Sequence, residues 1–172
     1  MLLVIACSYA TSTWAQNVPH AEKRIKIETD WSVFYIAAPK PNCWGVSAPK
    51  RSLTTRGGKP VKVNRGDILL FVNFRDGGDP KGGISFTGGY PFAPNSPPIM
   101  DIGGRKYPFI TKGQWAWPRV PASQSGLLDA LKQGSDATIT ALSTHGTETR
   151  DTFSLAGFTA ARDDARQRCA AK

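Results

Sequence analysis

The sequence predicts a mainly β fold: an antiparallel sandwich or barrel-like domain with two short α-helices, the C-terminal one packed on the sheet. Among the 172 residues there are 17 glycines and 13 prolines, which indicates many turns and favours strands over a helical bundle. Gly-Gly pairs recur five times along the chain. Such pairs suit hairpin turns that need a positive φ, and none opens a helix as a phosphate-binding loop would.

Nine segments have the aromatic and β-branched composition of strands. Residues 67–74 form the most continuous apolar run, which is typical of a central strand covered on both faces. Residues 84–87 and 99–102 alternate between apolar and polar side chains. The nine predicted strands are residues 31–38, 43–48, 67–74, 84–87, 99–102, 107–111, 114–117, 137–143 and 149–155.

The first predicted helix spans residues 123–134. It begins at a capping serine and places Leu127, Leu128 and Leu131 on one side. Gly134 is the expected stop signal, because glycine is frequent just past helix ends. The helix is therefore expected to cover part of the core.

The second predicted helix runs from about residue 157 to residue 170. Phe158, Ala161, Ala165 and Cys169 recur at i, i+3, i+7 and i+11, which is the spacing of one helix face. That face is expected to pack on the sheet. The charged residues expected on or beside the wetter side are Arg162, Asp163, Arg166 and Arg168.

The first sixteen residues carry no charged side chain. This apolar stretch, followed by small residues, predicts a signal peptide over residues 1–15 and export by cleavage after Ala15. Residues 16–29 are expected to be a flexible lead-in, and residues 30–170 a single domain.

The run ending at Cys7 resembles a lipobox, which leaves open a lipid anchor at that cysteine. No segment approaches the roughly 20 apolar residues that a spanning helix needs, so no transmembrane span is predicted.

Two cysteines, Cys43 and Cys169, remain once the predicted leader is removed. An even count in an oxidising compartment argues for one disulfide between them. That bridge would fasten the C-terminal helix to the body of the domain. Strand alternation should turn Trp44 to the opposite face from the bridge.

Candidates for catalysis are few. His145 lies in T-H-G-T-E, which is typical of a turn, and the chain has no Gly-x-Ser-x-Gly nucleophile motif. No pair of Cys or His residues has metal-ligand spacing, so neither a metal nor a cofactor is predicted. The sequence favours a non-enzymatic protein. A hydrolase that uses His145 with Glu148 or Asp151 is the alternative.

A basic segment stands out, since no Asp or Glu occurs between Trp31 and Gly66. Clustered cations attract anionic surfaces. In an exported protein those surfaces are lipid head groups, lipopolysaccharide or an acidic envelope protein rather than nucleic acid. The alternative is a solvated hairpin that only aids solubility. The candidate binding residues are Lys50, Arg51, Arg56, Lys59, Lys62 and Arg65.

Aromatic residues beside rigid prolines give the last candidate site. Tyr90 and Phe92 lie in G-G-Y-P-F-A-P, and Trp115 and Trp117 in Q-W-A-W-P. They could form an exposed recognition patch. The alternative is that they close one end of the sandwich core.

Several of these motifs together resemble one known family. They are C-W-G-V-S-A-P-K, G-D-I-L-L-F-V, S-F-T-G-G-Y-P-F, T-K-G-Q-W-A-W-P and D-T-F-S-L-A-G-F-T-A-A with a trailing cysteine. They resemble the invasion-associated locus B family of exported Gram-negative proteins, over residues 30–169. The resemblance implies a compact β-rich domain in the periplasm or associated with the outer membrane. In some pathogens the family is linked to entry into host red cells.

No enzymatic activity is established for that family, so the resemblance assigns no catalytic residue. The expected function is therefore an exported, non-enzymatic binding protein of the bacterial envelope, with an unknown envelope protein or an anionic surface as its partner. A purely structural, lipid-anchored envelope component is a further alternative.

Overall fold

The computed structural model describes residues 23–36, 40–75, 81–122 and 125–170. The predicted signal peptide, with Cys7, lies outside these residues. Neither helix in the described part of the chain is long and apolar enough to cross a membrane.

The described fold contains twelve antiparallel strands and two helices, so the predicted mainly β class is confirmed. The strands are β1 (Lys23–Glu28), β2 (Trp31–Ile36), β3 (Asn42–Ser47), β4 (Arg51–Arg56), β5 (Lys59–Pro60), β6 (Leu69–Arg75), β7 (Gly83–Thr87), β8 (Ile99–Ile102), β9 (Arg105–Lys112), β10 (Trp115–Pro118), β11 (Asp136–Leu142) and β12 (Glu148–Ser154). The helices are α1 (Leu127–Gln133) and α2 (Phe158–Ala170). All nine predicted strands are present, as β2, β3 and β6 to β12.

The strands form two sheets that share β9. The first sheet runs β1-β2-β3-β6-β7-β10-β9, and the second runs β9-β8-β11-β12-β4-β5. Residues 109–112 of β9 pair with β10, whereas residues 105–108 pair with β8. The inner faces of the two sheets meet in the core, where Phe86 of β7 packs edge-on against Phe153 of β12 with ring centroids 6.0 Å apart. The architecture is therefore a sandwich whose corner is one long strand.

Strand β1 corrects part of the predicted flexible lead-in. Residues 23–28 pair along β2 in antiparallel register, and Ile25 packs against the core. The alternation that marks this strand rests on Ile25 and Ile27 alone, among charged neighbours, and Ile27 is 59% exposed. A strand with so little apolar surface gives a weak sequence signal, because alternation is recognised by its buried side.

Strands β4 and β5 were missed for a related reason. Strand β4 has one large apolar side chain, Leu53, and it is 51% exposed. Strand β5 is two residues long and ends in Pro60. Backbone pairing to β12, rather than burial of side chains, keeps this hairpin in the sheet.

Helix α1 buries its three leucines as predicted and ends at Gly134, whose N–H donates to the Ala130 carbonyl at 2.8 Å. Its predicted start is wrong. The N-cap is Gly126, with φ 72°, rather than a serine. Ser125 precedes that glycine, and its Oγ accepts the N–H of Leu127 at 3.4 Å. The positive φ at this position suits glycine, which explains why no serine occupies it.

Helix α2 packs on the inner face of the first sheet, against β1, β2, β3 and β6. Phe158, Ala161 and Ala165 are fully buried, as the helical spacing predicted. The Phe158 ring meets Trp31 of β2 edge-on, with centroids 5.1 Å apart. Gly45 of β3 lets the helix approach closely, since a Cβ there would lie 3.3 Å from the Cβ of Ala161.

The predicted disulfide is present. Cys169 of α2 is bonded to Cys43 of β3, with their Cα atoms 5.8 Å apart. Trp44 lies on the other face of β3, where its ring stacks on Phe34 of β2. The bridge therefore joins the helix to the inner face of the first sheet, and Trp44 points away from it.

Arg162 corrects the predicted wet side of α2, because it is only 7% exposed. Its Nε donates to the Lys81 carbonyl at 3.1 Å, and Nη1 donates to Asp163 at 2.5 Å. A long arginine stem can pack against apolar surface while its guanidinium finds polar partners, so helical position alone did not reveal this burial.

Candidate functional site

The exposed cations of the predicted basic segment lie on the β4–β5 hairpin at one edge of the second sheet. We call residues 51–62 the basic hairpin. Its four cations are exposed, and none forms an ion pair with any residue that the structure describes; Arg56 donates instead to the Thr147 hydroxyl, at 2.8 Å. They are Arg51, Arg56, Lys59 and Lys62.

The local sequence sets the shape of this hairpin. Gly57 and Gly58 both have positive φ, 55° and 75°, as tight hairpin turns require. The turn places Arg56 directly opposite Lys59 in the strand register. Pro60 follows on the outer edge, where its missing N–H removes no ladder hydrogen bond. Two like charges are therefore held side by side at the sheet edge.

Arg150 of β12 joins this surface, and sequence reasoning missed it. It is exposed and lies opposite Leu53 of β4, diagonal to Arg51. In the sequence it stands nearly a hundred residues away from β4, among acidic and polar neighbours. Only the pairing of β12 with β4 brings it to the basic hairpin.

Lys50 is engaged by an acidic partner. Its ammonium pairs with the carboxylate of Asp30, and this hydrogen bond holds the pKa of Asp30 below its ordinary value. Lys50 is thus partly neutralised, and the free cations of the surface begin at Arg51.

Arg65 does not belong to the predicted anion-binding surface, because its guanidinium is buried in a bidentate pair with Asp151. The Nη1–Oδ1 and Nη2–Oδ2 distances are 2.8 and 2.6 Å, and the two side chains are 7% and 0% exposed. Its Nε donates to the Gly88 carbonyl at 2.9 Å, and the guanidinium lies 5.0 Å from the centre of the Tyr90 ring. Arg65 anchors the irregular stretch between β5 and β6 to the second sheet.

The same pair bears on the hydrolase alternative. Both carboxylate oxygens of Asp151 are bonded to Arg65, so that carboxylate is not free to orient an imidazole. His145 is exposed in the turn after β11, and Glu148 is exposed at the start of β12. In the residues that the structure covers, no group of three His, Cys, Asp or Glu side chains could hold a metal ion.

A small cavity of 120 Å³ lies beside this turn. Its lining includes His145, Arg56, Tyr90, Ser143 and Thr149 of β12. The side chain of Ser143, which lines this cavity, is engaged in the turn, because its Oγ accepts hydrogen bonds from the N–H groups of His145 and Thr147 at 3.3 and 3.1 Å. This serine shapes the turn.

The structure separates the four aromatic residues of the predicted recognition patch. Phe92 is 6% exposed and packs on Phe86, and Tyr90 meets Phe92 edge-on with centroids 5.3 Å apart. Burial raises the pKa of Tyr90, whose hydroxyl lies 2.5 Å from the Thr149 Oγ1. These two rings close the core, as the alternative interpretation stated.

Trp115 and Trp117 instead lie on the outer face of the first sheet, 37% and 38% exposed. Further aromatic rings from β2, β3 and β6 share that face, and sequence reasoning did not connect them. The signal was the alternation along each strand, which could have assigned every ring to the outer side. The order of strands in the sheet was needed to bring them together.

Fold and site define a small β-sandwich domain with a disulfide-fastened helix and a basic edge hairpin. The sequence model of the invasion associated locus B protein family matches residues 75–166, more than half of the chain, and the chain belongs to that family. Membership suggests a bacterial protein associated with host invasion. No curated protein and no solved structure matches the chain. The matched region runs from the end of β6 into α2, so the basic hairpin and both bonded cysteines lie outside it.

Proposed function

We propose that this chain is an exported, non-enzymatic binding protein of the bacterial envelope, placed in the periplasm or at the outer membrane. It attaches to anionic surfaces through the basic hairpin, with Arg150 beside it. The observation that carries the proposal is the set of four exposed hairpin cations that lack an ion-pair partner among the described residues.

Charge across the whole chain supports this proposal. Lys and Arg number 22 against 13 Asp and Glu, for a formal net charge of +9, and the predicted leader contributes none of it. A positive field of this kind draws a protein toward lipid head groups, lipopolysaccharide or acidic partners. On the basic hairpin such a surface would meet four exposed cations that lack an ion-pair partner among the described residues.

The pairing of Arg56 with Lys59 supports it further. Like charges directly opposite one another destabilise an antiparallel pair. An anionic ligand between the two side chains would remove that repulsion. Lysine and proline on an edge strand also protect the edge against pairing with other chains, so the test must separate binding from edge protection.

Neutralising three hairpin cations, in the variant Arg51→Gln/Lys59→Gln/Lys62→Gln, is expected to weaken binding to phosphatidylcholine vesicles that contain phosphatidylglycerol. Each cation near an anionic membrane contributes about 1 kcal/mol, so the three together predict a loss on the order of 100-fold. Co-sedimentation of the mature protein with these vesicles measures the loss. Raising the salt from 0.1 M toward 1 M shortens the Debye length from about 10 Å to about 3 Å and should abolish wild-type binding.

The matched control removes three exposed cations elsewhere, in the variant Lys106→Gln/Lys112→Gln/Arg119→Gln, for the same change in net charge. It should bind much more tightly than the hairpin variant. An equal loss in both variants would make the effect one of net charge alone. Absence of binding at low salt, or binding that ignores salt, would leave the hairpin as edge protection and contradict the proposal.

A further inference from the structure

The outer face of the first sheet, turned away from the second sheet and from α2, carries a cluster of aromatic side chains. They come from four strands and form one continuous surface. The Phe71 and Trp115 rings lie 5.6 Å apart, and Phe34 stacks on Trp44 with centroids 5.6 Å apart. The five rings are Phe34, Trp44, Phe71, Trp115 and Trp117. This face is distinct from the basic hairpin, which belongs to the other sheet.

Two adjoining clefts, of 280 and 310 Å³, run across this surface and share part of their lining. We call them together the aromatic groove. Trp44, Phe71 and Trp115 line one cleft, and Trp115 and Trp117 line the other. The polar residues that line it are Asn42, Asn73, Arg75 and Ser85.

Gly83 keeps the floor of the groove open. It is the first residue of β7 and lies opposite Asn73 of β6. Its φ is not positive, and a Cβ built there would meet only the Asn73 carbonyl oxygen, at 4.0 Å. Neither the backbone conformation nor the packing requires glycine at this position. What the missing side chain provides is space in the cleft that Trp115 and Trp117 line, beside Asn73 and Arg75.

The polar groups on the floor retain hydrogen-bonding capacity. Asn73 Nδ2 donates to the Ser85 Oγ at 2.8 Å, which fixes the amide and leaves its Oδ1 directed elsewhere. Within the described part of the chain, neither that Oδ1 nor the Asn42 side chain has a hydrogen-bond partner. Groups of this kind suit a ligand that carries many hydroxyls.

The charged residues beside the groove indicate which substituent a ligand would carry. Arg75 is exposed at one end of the groove; among the residues that the structure describes, it has no ion-pair partner and no Asp or Glu lines either cleft. An acidic substituent on the ligand would find its counter-ion there.

We propose that the aromatic groove binds an oligosaccharide that carries an acidic substituent. A sugar ring presents a flat face of C–H groups and a rim of hydroxyls, which matches half-exposed indole rings beside amide and hydroxyl groups. A dry protein or lipid contact would leave the groove-floor amides without partners, at a cost in free energy. The carboxylate of a uronic or sialic acid, or a sugar phosphate, pairs with Arg75.

The test uses the mature protein on an array of defined oligosaccharides, neutral, carboxylated and phosphorylated, followed by calorimetric titration of those that bind. Trp117→Ala removes one of the two indole rings in the cleft beside Gly83 and is expected to weaken binding about tenfold. Gly83→Leu fills the floor and is expected to abolish it. Arg75→Gln should reduce binding of the acidic oligosaccharides to the level of their neutral parents. Comparison of the carboxylated and phosphorylated sets shows which acidic group is preferred.

Two controls keep the result specific. Leu53→Ala removes an exposed side chain from the other sheet and should leave the affinity unchanged. The hairpin variant Arg51→Gln/Lys59→Gln/Lys62→Gln should also retain oligosaccharide binding, so the groove and the hairpin can fail separately. Thermal melting of each variant verifies folding. The proposal is overturned if no oligosaccharide binds, if binding survives both Gly83→Leu and Trp117→Ala, or if the hairpin variant loses it.

Discussion

Replacing Asp151 with alanine is expected to lower the free energy of unfolding by about 3–5 kcal/mol, because it leaves a buried guanidinium without its counter-charge. Arg65 is 7% exposed and has both of its Nη groups bonded to Asp151. Equilibrium unfolding in urea measures the change. Glu148→Ala is the matched control, since this carboxylate is exposed on the same strand and its removal should cost less than about 0.5 kcal/mol.

The loss should also loosen the irregular stretch that joins the two sheets. Arg65 ties this stretch to Gly88, and the neighbouring Gly66 donates its N–H to the Gly89 carbonyl at 3.0 Å. The double variant Arg65→Met/Asp151→Leu should recover part of the stability, because an apolar pair has no buried charge to compensate. If Asp151→Ala cost no more than Glu148→Ala, the pair would not anchor this part of the fold.

Breaking the Cys43–Cys169 disulfide is expected to lower the free energy of unfolding by about 2–4 kcal/mol and to leave the protein folded. The bond closes a loop of 126 residues, so its main effect is to restrict the unfolded chain. Helix α2 keeps its other contacts on reduction, above all the fully buried Phe158 against Trp31. The remaining core is large enough to fold on its own.

Thermal unfolding with and without reductant measures this effect. The variant Cys43→Ala/Cys169→Ala is the control, because its melting temperature should match that of the reduced protein and should not respond to reductant. Peptide mapping without reductant should recover one crosslinked pair that contains both cysteines. An unchanged melting temperature on reduction, or complete unfolding, would contradict the expected role of the bridge.

How well the sequence predicts a strand depends on whether the apolar side chains of that strand are buried. The strand over residues 99–102 has the same limits in sequence and structure, because its alternation places Met100 and Ile102 in the core. Strands β1 and β4 escaped prediction, since β1 carries charged residues beside its two isoleucines and β4 exposes its one large apolar side chain. Where backbone pairing rather than apolar burial holds a strand, composition carries little information.

The candidate site divides in the same way. Arg51, Lys59 and Lys62 are close in sequence, so a count of charges found them. Arg65 stands in the same run, but its acidic partner, Asp151, is 86 residues away in the sequence. No local sequence pattern therefore predicts the pair. The aromatic groove is harder still to predict from the sequence, because only the order of β3, β6, β7 and β10 in the first sheet brings its rings together.

Export to an oxidising compartment is the condition on which both the disulfide and the envelope function depend. Intact-mass analysis of the protein from the envelope fraction of its own cells tests export and the bridge at once. The expected mass is that of a chain beginning at Gln16, lighter by two hydrogen atoms than the same chain after reduction. A lipidated amino terminus at Cys7 would support the anchored alternative instead. A full-length chain in the cytosol, with Cys43 and Cys169 both free, would contradict export and the envelope function with it.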